Sequence, residues 1–111
     1  MRYRVQVTPI ARGHVTNAII WYRAEAPEQV VRFVERFTEA RNRIRAYQFL
    51  GRTGPNGLRD VALKVFPYEL WYVIDGQVVT VVAVTHFRQD ADPVLRDGLD
   101  ALRLPHGNPT D

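Results

Sequence analysis

The sequence predicts an α+β domain in which a helical hairpin packs on a small, mostly antiparallel sheet, in two layers. Three patterns support this: an alternating strand near the N-terminus, two successive helical stripes of apolar residues, and three valine- and aromatic-rich runs before a final helix. The chain has 111 residues, 46% of them hydrophobic, so it is long enough to bury the core of one domain. The predicted order is β-α-α-β-β-β-α. Residues 1–92 form the main unit, and residues 93–111 form a C-terminal helix and acidic tail of the same domain.

One strand and two helices are predicted for the first half of the chain. Residues 2–9 alternate between apolar and polar side chains and end at a proline, as a half-buried strand does. Residues 10–24 then carry apolar side chains three and four apart, which indicates a first helix. Pro27 suits the first turn of a second helix, because proline lacks the N–H that this turn leaves unpaired. The apolar stripe of the second helix consists of Val30, Phe33, Val34, Phe37 and Ile44.

Three strands joined by short connections are predicted for the second half. Residues 51–57 contain three glycines and one proline, so they are predicted to form a loop. Residues 58–66, 68–75 and 77–88 are rich in valine and aromatic side chains, as strands are, and an Asp-Gly pair makes a tight hairpin turn between the last two. The last run carries apolar or threonine side chains on both faces, which indicates an interior strand.

Charge is unevenly distributed along the chain. The net charge of +3 divides into +6 for residues 1–89 and −3 for residues 90–111, and 14 of the 15 basic residues are arginine. Asp92 and Pro93 are predicted to be the cap and first-turn pair of a short C-terminal helix in the acidic part. We therefore expect the segment from Asp90 to Asp111 to fold back on the basic face and to occupy part of a partner's place.

The basic side chains suggest a binding surface for an acidic partner. The densest basic stretch lies between the second predicted helix and the loop, and clustered guanidinium groups bind phosphate and carboxylate groups well. Both nucleic acid and an acidic protein segment fit this description, and solvated surface arginine is the alternative. The arginines of this stretch are Arg41, Arg43, Arg45 and Arg52.

Several classes of site are excluded or disfavoured by composition. The absence of cysteine removes disulfides, thiol nucleophiles and cysteine-based zinc sites, and three isolated histidines show no metal-ligand spacing. We therefore expect no metal and no cofactor. No apolar run approaches the roughly 20 residues that a membrane-spanning helix needs. With no apolar signal core at the N-terminus, a cytoplasmic protein without membrane contact is the expectation.

A series of short motifs, in this order and spacing, resembles the RelE/ParE family of type II toxin–antitoxin toxins, which includes proteins of the plasmid stabilisation type. The resemblance covers residues 3–91. It rests on Gly57-Leu58-Arg59, then Phe66-Pro67-Tyr68 with alternating Leu70, Tyr72 and Ile74, and finally Val81, Ala83, Val84, His86, Arg88 and Asp90.

The resemblance implies a toxin that inhibits growth and is neutralised by a cognate antitoxin, whose C-terminal segment wraps around it. Members of the ParE branch poison DNA gyrase, whereas RelE-like members are ribosome-dependent mRNA endonucleases that often carry a tyrosine near the C-terminus. This chain has no tyrosine after Tyr72, and Gln48, Gln89 and Ala91 replace residues usual in the family. The resemblance therefore favours the ParE-like branch. A partner-binding member without toxicity is a further alternative, and a homodimer is left open.

Candidates for RNA cleavage are nevertheless present, so enzymatic activity is left undecided. His86 and Arg88 stand two apart at the end of the last predicted strand, so they are expected to project from one face as a base or acid and a cation. Arg52, Arg59 and Lys64 are expected to supply further positive charge from neighbouring segments. The alternative is that His86 tethers the last strand to the C-terminal segment.

Two faces of the strand at residues 68–75 are expected to have different roles. Phe66 and Tyr68 favour packing between sheet and helices, with base stacking as the alternative reading. Trp71 faces the opposite side from Tyr68 and Tyr72, and an apolar second face suggests a groove for a partner. Trp71 is therefore grouped with the arginines and Lys64 as a candidate partner-binding residue.

Overall fold

The computed structural model describes residues 3–103, in which a five-stranded mixed sheet carries a helical hairpin on one face and a third helix on the other. The elements in chain order are β1 (Arg4–Val7), α1 (Pro9–Glu25), α2 (Val30–Ala46), β2 (Arg52–Thr53), β3 (Arg59–Ala62), β4 (Tyr68–Asp75), β5 (Val78–His86) and α3 (Ala91–Arg103). The strand order is β1-β5-β4-β3-β2, with β1 parallel to β5 and the other pairs antiparallel. The predicted α+β class, with a hairpin on a mostly antiparallel sheet, is confirmed.

The helical hairpin has clear sequence signals at its ends. The side chain of Thr8 caps α1 by accepting a hydrogen bond from the N–H of Ala11 at 3.1 Å, and Pro9 occupies the first turn. Residues 27–29 form a single 3₁₀ turn that leads into α2, so Pro27 begins this turn rather than α2 itself. Val34, assigned to the apolar stripe of α2, is 41% exposed.

An aromatic cluster fills the space between the hairpin and the sheet. Tyr22 of α1 and Phe33 of α2 contact Phe66 and Tyr68, with ring centroids 5.3 to 6.4 Å apart and several rings edge to face. Phe33 is completely buried. Phe66 is buried and Tyr68 is half-buried against this cluster, so the predicted packing of both rings between sheet and helices is confirmed.

The second face of the sheet is covered by α3, so the fold has three layers instead of the two that were predicted. Leu95 of α3 packs against Leu58, Val82 and Ala83. A β-bulge where β4 meets β5 brings the consecutive residues Val82 and Ala83 into the same cluster. A Cβ added at Gly98 would lie 2.6 Å from the carbonyl oxygen of Val82, so α3 approaches the sheet backbone more closely than any other residue type would permit.

Several predicted boundaries and contacts are corrected by the structure. The loop at residues 51–57 contains the short strand β2, and β3 ends at Ala62 instead of residue 66. Val65 follows with a φ of 76°, which no regular strand contains. Asp90 rather than Asp92 caps α3, because its Oδ1 accepts a hydrogen bond from the N–H of Asp92 at 3.2 Å.

The expected contact between the acidic segment and the basic face is wrong for its helical part. Apolar side chains of α3 pack on the face of the sheet opposite the helix that carries Arg41 and Arg45. Residues 104–111 lie outside the described part of the chain. No helix within residues 3–103 is long and apolar enough to span a membrane.

Candidate functional site

The four arginines grouped by the sequence lie in separate environments. Arg43 donates a hydrogen bond from Nη2 to the carbonyl oxygen of Ala62 at 3.0 Å, and Arg52 donates from Nη2 to Oδ2 of Asp60 at 2.9 Å. Arg41 and Arg45 have no such partner within residues 3–103. The predicted single basic cluster is therefore divided. Arg43 and Arg52 hold parts of the fold together, whereas Arg41 and Arg45 are free within residues 3–103.

Two cavities that share Arg41 together form what we call the arginine groove. Arg41 and Arg45 both line the first of them. The first cavity has a volume of about 350 Å³, and among residues 3–103 no acidic side chain lines it. The second has a volume of about 300 Å³ and shares Arg41 with the first. The first is lined by Tyr3, Arg4, Val5, Arg41, Asn42 and Arg45, and the second by Val7, Arg12, Val15, Thr16, Phe37 and Arg41.

A different cavity, of about 500 Å³, is lined by residues of α2, β3 and β4 and of the segments that follow α2 and β5, and we call it the carboxyl cavity. Two carboxyl groups lie in it, those of Asp60 and Glu69, and Arg52 is 2.9 Å from the first and 4.0 Å from the second. The side chain of Asp60 is 7% exposed, whereas that of Arg52 is 84% exposed. The remaining lining residues are Arg43, Leu50, Val61, Ala62 and Phe87.

The two carboxyl groups share a proton near neutral pH. Burial raises the pKa of Glu69 to about 7, and the hydrogen bond and negative charge of Asp60 act in the same direction. Burial also acts to raise the pKa of Asp60, but hydrogen bonds from Glu69 and Arg52 outweigh it, so that pKa is lowered. A protonated Glu69 therefore donates to an ionised Asp60, which also pairs with Arg52.

Sequence reasoning missed this carboxyl pair. In the register, Asp60 lies opposite Trp71 and Ala62 lies opposite Glu69, so the two carboxyl groups are diagonal neighbours on one face. The only signal in the sequence is that both acids fall within predicted strands. Their proximity depends on which residues of β3 and β4 pair, and the sequence alone does not define that register.

His86 and Arg88 do not form the pair that was expected on one strand face. β5 ends at His86, and Arg88 lies in the turn that follows. Nδ1 of His86 accepts a hydrogen bond from the backbone N–H of Arg88 at 3.0 Å, and the ring packs edge to face on Tyr68 at 5.0 Å. Gln89 closes the same turn, because its Oε1 accepts from the N–H of His86 at 3.2 Å. These contacts hold the chain between β5 and α3.

The other candidate residues differ in exposure and in their contacts. Nη1 of Arg59 donates to the carbonyl oxygens of Phe49 at 3.3 Å and Gly51 at 2.9 Å, which holds the segment between α2 and β2 in place. Lys64 is exposed after β3. Nε1 of Trp71 donates to Oγ1 of Thr85 at 2.9 Å, and its ring packs against the cluster that α3 covers. Much of the expected apolar groove at Trp71 is thus occupied by α3.

One histidine outside the predicted sites has a structural role. His14 of α1 accepts a hydrogen bond at Nδ1 from the backbone N–H of Val84 at 3.1 Å. Burial lowers the pKa of His14, which favours the neutral form that can accept this bond. Among residues 3–103, no group of three or more potential metal-ligating side chains is found.

Comparison with known proteins yields one family and several similar folds. The family model described as the ParE toxin of the type II toxin–antitoxin system parDE matches residues 5–91. A search of curated protein sequences finds no significant match.

Solved structures with similar folds include two toxin–antitoxin systems and one free toxin. The chromosomal ParDE system of P. aeruginosa contains a chain with a TM-score of 0.68 and 18% identity, over 76% of this chain and 95% of that one. The toxin–antitoxin complex RelBE2 of Mycobacterium tuberculosis gives a TM-score of 0.53 and 19% identity, over 78% of this chain and 99% of that one. A mutant of E. coli toxin RelE in the free state gives a TM-score of 0.52 and 19% identity, over 92% of this chain and 99% of that one.

Proposed function

Because the chain belongs to the ParE toxin family of type II toxin–antitoxin systems, we propose that it inhibits bacterial growth by binding a target of the DNA gyrase class. A cognate antitoxin neutralises it, as the complexes formed by structurally similar toxins suggest. The observation that carries the proposal is the match of the ParE family model to residues 5–91, which includes every strand but the first residue of β1.

The geometry of the described residues favours binding over RNA cleavage. Cleavage by a 2′-hydroxyl requires a base and an acid that reach the reacting atoms. His86 instead uses Nδ1 to hold the backbone of its own turn, and its ring is packed on Tyr68. Arg59 and Arg52, which were expected to supply charge, donate to backbone carbonyls and to Asp60 respectively. The arginine groove, in contrast, presents side chains without acidic partners.

Growth inhibition and the target can be tested together. We expect expression of the full chain from an inducible promoter to stop bacterial growth, and the purified protein to inhibit ATP-dependent supercoiling by gyrase. Co-expression of the antitoxin should restore growth. Normal growth on expression would contradict toxicity. It would favour the alternative of a partner-binding member without toxicity.

The endonuclease alternative is decided by the same protein preparation. Incubation with translating ribosomes and mapping of mRNA 5′ ends should yield intact message. The RelE-like alternative would replace the gyrase proposal if the unmodified protein cleaves the message without inhibiting gyrase. In that case the His86→Gln variant should leave the message intact. His86→Gln is a suitable variant because a glutamine side chain can still accept a hydrogen bond in the turn.

A further inference from the structure

Residues 47–51, which join α2 to β2 and which we call the anchor segment, carry three large apolar side chains at the surface. Tyr47 is 69% exposed, Phe49 62% and Leu50 49%. One exposed apolar side chain is ordinary on a protein surface. Three of them within four residues form a patch of the kind that marks an interaction site.

The backbone of the anchor segment is held from below by the sheet. The hydroxyl group of Tyr72, a fully buried residue of β4, donates a hydrogen bond to the carbonyl oxygen of Gln48 and accepts one from the N–H of Gly51, each at 2.9 Å. A Cβ added at Gly51 would lie 2.6 Å from the carbonyl oxygen of Asp60, so the segment passes the sheet at a distance that only glycine permits.

Further bonds hold the residues that carry the exposed side chains. Nη1 of Arg59 donates to the carbonyl oxygen of Phe49 at 3.3 Å, and its guanidinium group lies 5.1 Å from the centre of the Phe49 ring. The N–H of Leu50 donates to the carbonyl oxygen of Tyr47 at 2.9 Å. The conformation of the segment is therefore fixed before any partner binds. A rigid segment loses little conformational entropy on binding, which favours affinity.

Positive charge flanks the anchor segment in the chain. From residue 40 to residue 59 the sequence contains five arginines and no acidic residue. The two charged residues next to the segment, Arg45 and Arg52, are both exposed, and Arg52 is 84% exposed even though it pairs with Asp60. An apolar pocket surrounded by acidic side chains would therefore be complementary to this surface.

From the exposed side chains, the fixed backbone and the flanking charge, we propose that the anchor segment inserts Tyr47, Phe49 and Leu50 into an apolar pocket with an acidic rim on the protein that this toxin inhibits. The segment leads directly into β2, the edge strand opposite β1. The inference rests on the proposed function for the identity of that protein, which is a target of the gyrase class.

A protein pocket fits the anchor segment better than nucleic acid does. Bases stack on exposed aromatic faces, but the guanidinium group of Arg59 covers one face of the Phe49 ring. Leu50 has no aromatic face, and it lines the carboxyl cavity, where the ionised carboxylate of Asp60 would repel a phosphate backbone. Aliphatic and aromatic side chains together are typical of the central contacts between proteins.

The test measures binding of the fluorescently labelled full-length protein to purified gyrase in the absence of DNA. Phe49→Ser/Leu50→Ser removes two of the anchoring side chains and leaves the backbone hydrogen bonds in place. We expect this variant to bind about tenfold or more weakly, because a few central side chains contribute most of the affinity of an interface. Inhibition of growth on expression should be lost in parallel.

A matched variant separates the anchor segment from general surface hydrophobicity. Ile20→Ser/Val31→Ser removes two helical side chains that are 56% and 69% exposed and lie outside the segment. Serine has a helix propensity close to those of isoleucine and valine. This control should change binding by less than about twofold. Thermal unfolding of both double variants identifies any loss of folded protein.

Tyr72→Phe tests the fixed backbone while every exposed side chain is retained. Without the hydroxyl group, the N–H of Gly51 and the carbonyl oxygen of Gln48 lose their partner. We expect faster hydrogen exchange at the amide of Gly51 and severalfold weaker binding to gyrase. Faster exchange with unchanged binding would contradict the role of the fixed backbone.

Three results would overturn the inference. These are equal weakening by both double variants, undiminished inhibition of gyrase by Phe49→Ser/Leu50→Ser, and tighter binding of a DNA or RNA oligonucleotide that this variant abolishes. Failure of the proposed function gives a different pattern. An unmodified chain that neither binds gyrase nor inhibits growth would remove that function and this inference together, whereas undiminished activity of the anchor variant removes the inference alone.

Discussion

The two faces of the sheet differ in how they are covered, although β4 contributes side chains to both. On the hairpin face, Leu70 and Tyr72 are fully buried beneath two helices and a connected aromatic cluster. On the second face, Trp71 and Glu69 lie beside the smaller cluster of α3 and the carboxyl cavity. One face is a closed apolar core, and the other passes from a small core into a polar, partly open cavity.

This difference indicates which face supplies most of the stability. Burial of apolar area is the main favourable contribution to folding, and it is concentrated on the hairpin face. A carboxyl pair is tolerated on the second face because Arg52 and a shared proton compensate for its burial. We therefore expect a substitution on the second face to affect its own surroundings more than the stability of the whole fold.

The largest expected effect is on the hairpin face. Phe33→Ala removes a fully buried ring that contacts three other aromatic residues, so we expect it to lower the free energy of unfolding by about 3–5 kcal/mol. Leu95→Ala on the second face should cost about 2 kcal/mol, because its cluster is smaller. Urea unfolding of both variants measures the comparison, and equal losses would contradict it.

A glycine pair tests how closely α3 approaches the sheet. Gly98→Ala should cost about 1–3 kcal/mol, because its Cβ would lie 2.6 Å from the carbonyl oxygen of Val82 and force α3 outward. Gly13→Ala in α1 is the matched control, since its Cβ meets nothing within 4 Å and alanine favours helix by about 0.5–1 kcal/mol. Thermal unfolding should thus shift in opposite directions. A stabilising Gly98→Ala would disprove the close contact.

The carboxyl pair should make the second face sensitive to rising pH. The pKa of Glu69 in the folded protein, about 7, lies above its ordinary value of 4.5, so stability is present below pH 4.5 and is lost as pH rises through 7. Glu69→Gln keeps a neutral donor to Asp60, so at pH 8 it should be more stable than the unmodified protein by about 1–2 kcal/mol. The two proteins should be equally stable near pH 4.5. Parallel profiles of unfolding temperature against pH would exclude the shared proton.

His14 should give the hairpin face the opposite, and smallest, sensitivity. Because burial lowers its pKa in the folded protein, stability is present above its ordinary pKa of 6.5 and is lost as pH falls below it. His14→Asn retains an acceptor for the N–H of Val84 and does not titrate. Near pH 5 the variant should therefore avoid the decrease in stability, of about 1 kcal/mol or less, that the unmodified protein shows. Chemical denaturation at pH 5 and pH 7.5 measures this. An unchanged pH dependence would show that His14 does not titrate in this range.

Particular elements show how far the sequence predicts this fold. The bounds of β4 agree with the predicted residues 68–75, because a run rich in aromatic and aliphatic side chains that ends at an Asp-Gly turn is a local signal. The hairpin helices follow from their apolar spacing and prolines. The end of β3 at Ala62 was missed because Leu63, Val65 and Phe66 continue the apolar run while the backbone turns at Val65. Apolar content alone does not distinguish a strand from the irregular segment after it, in which Leu63 and Phe66 are buried and Val65 is exposed.

The candidate sites were less predictable for a related reason. Arg41, Arg43 and Arg45 are close in sequence, yet helical geometry turns Arg43 toward Ala62 and the other two toward β1. His86 and Arg88 have strand spacing, but the strand ends between them. In each case the sequence shows which side chains are charged or titratable, but it does not show which groups surround them in the fold.

The sequence by itself determined the α+β class, the element order, the uneven charge and the membership of a toxin family, because these depend on local periodicity and on motifs in order. Only the tertiary structure decided that α3 covers the face of Trp71, that Asp60 meets Glu69, and that Arg4 joins Arg41 and Arg45. These contacts join residues distant in the chain. Strand register, a β-bulge and helix packing set them, and those are properties of the assembled core that no local pattern encodes.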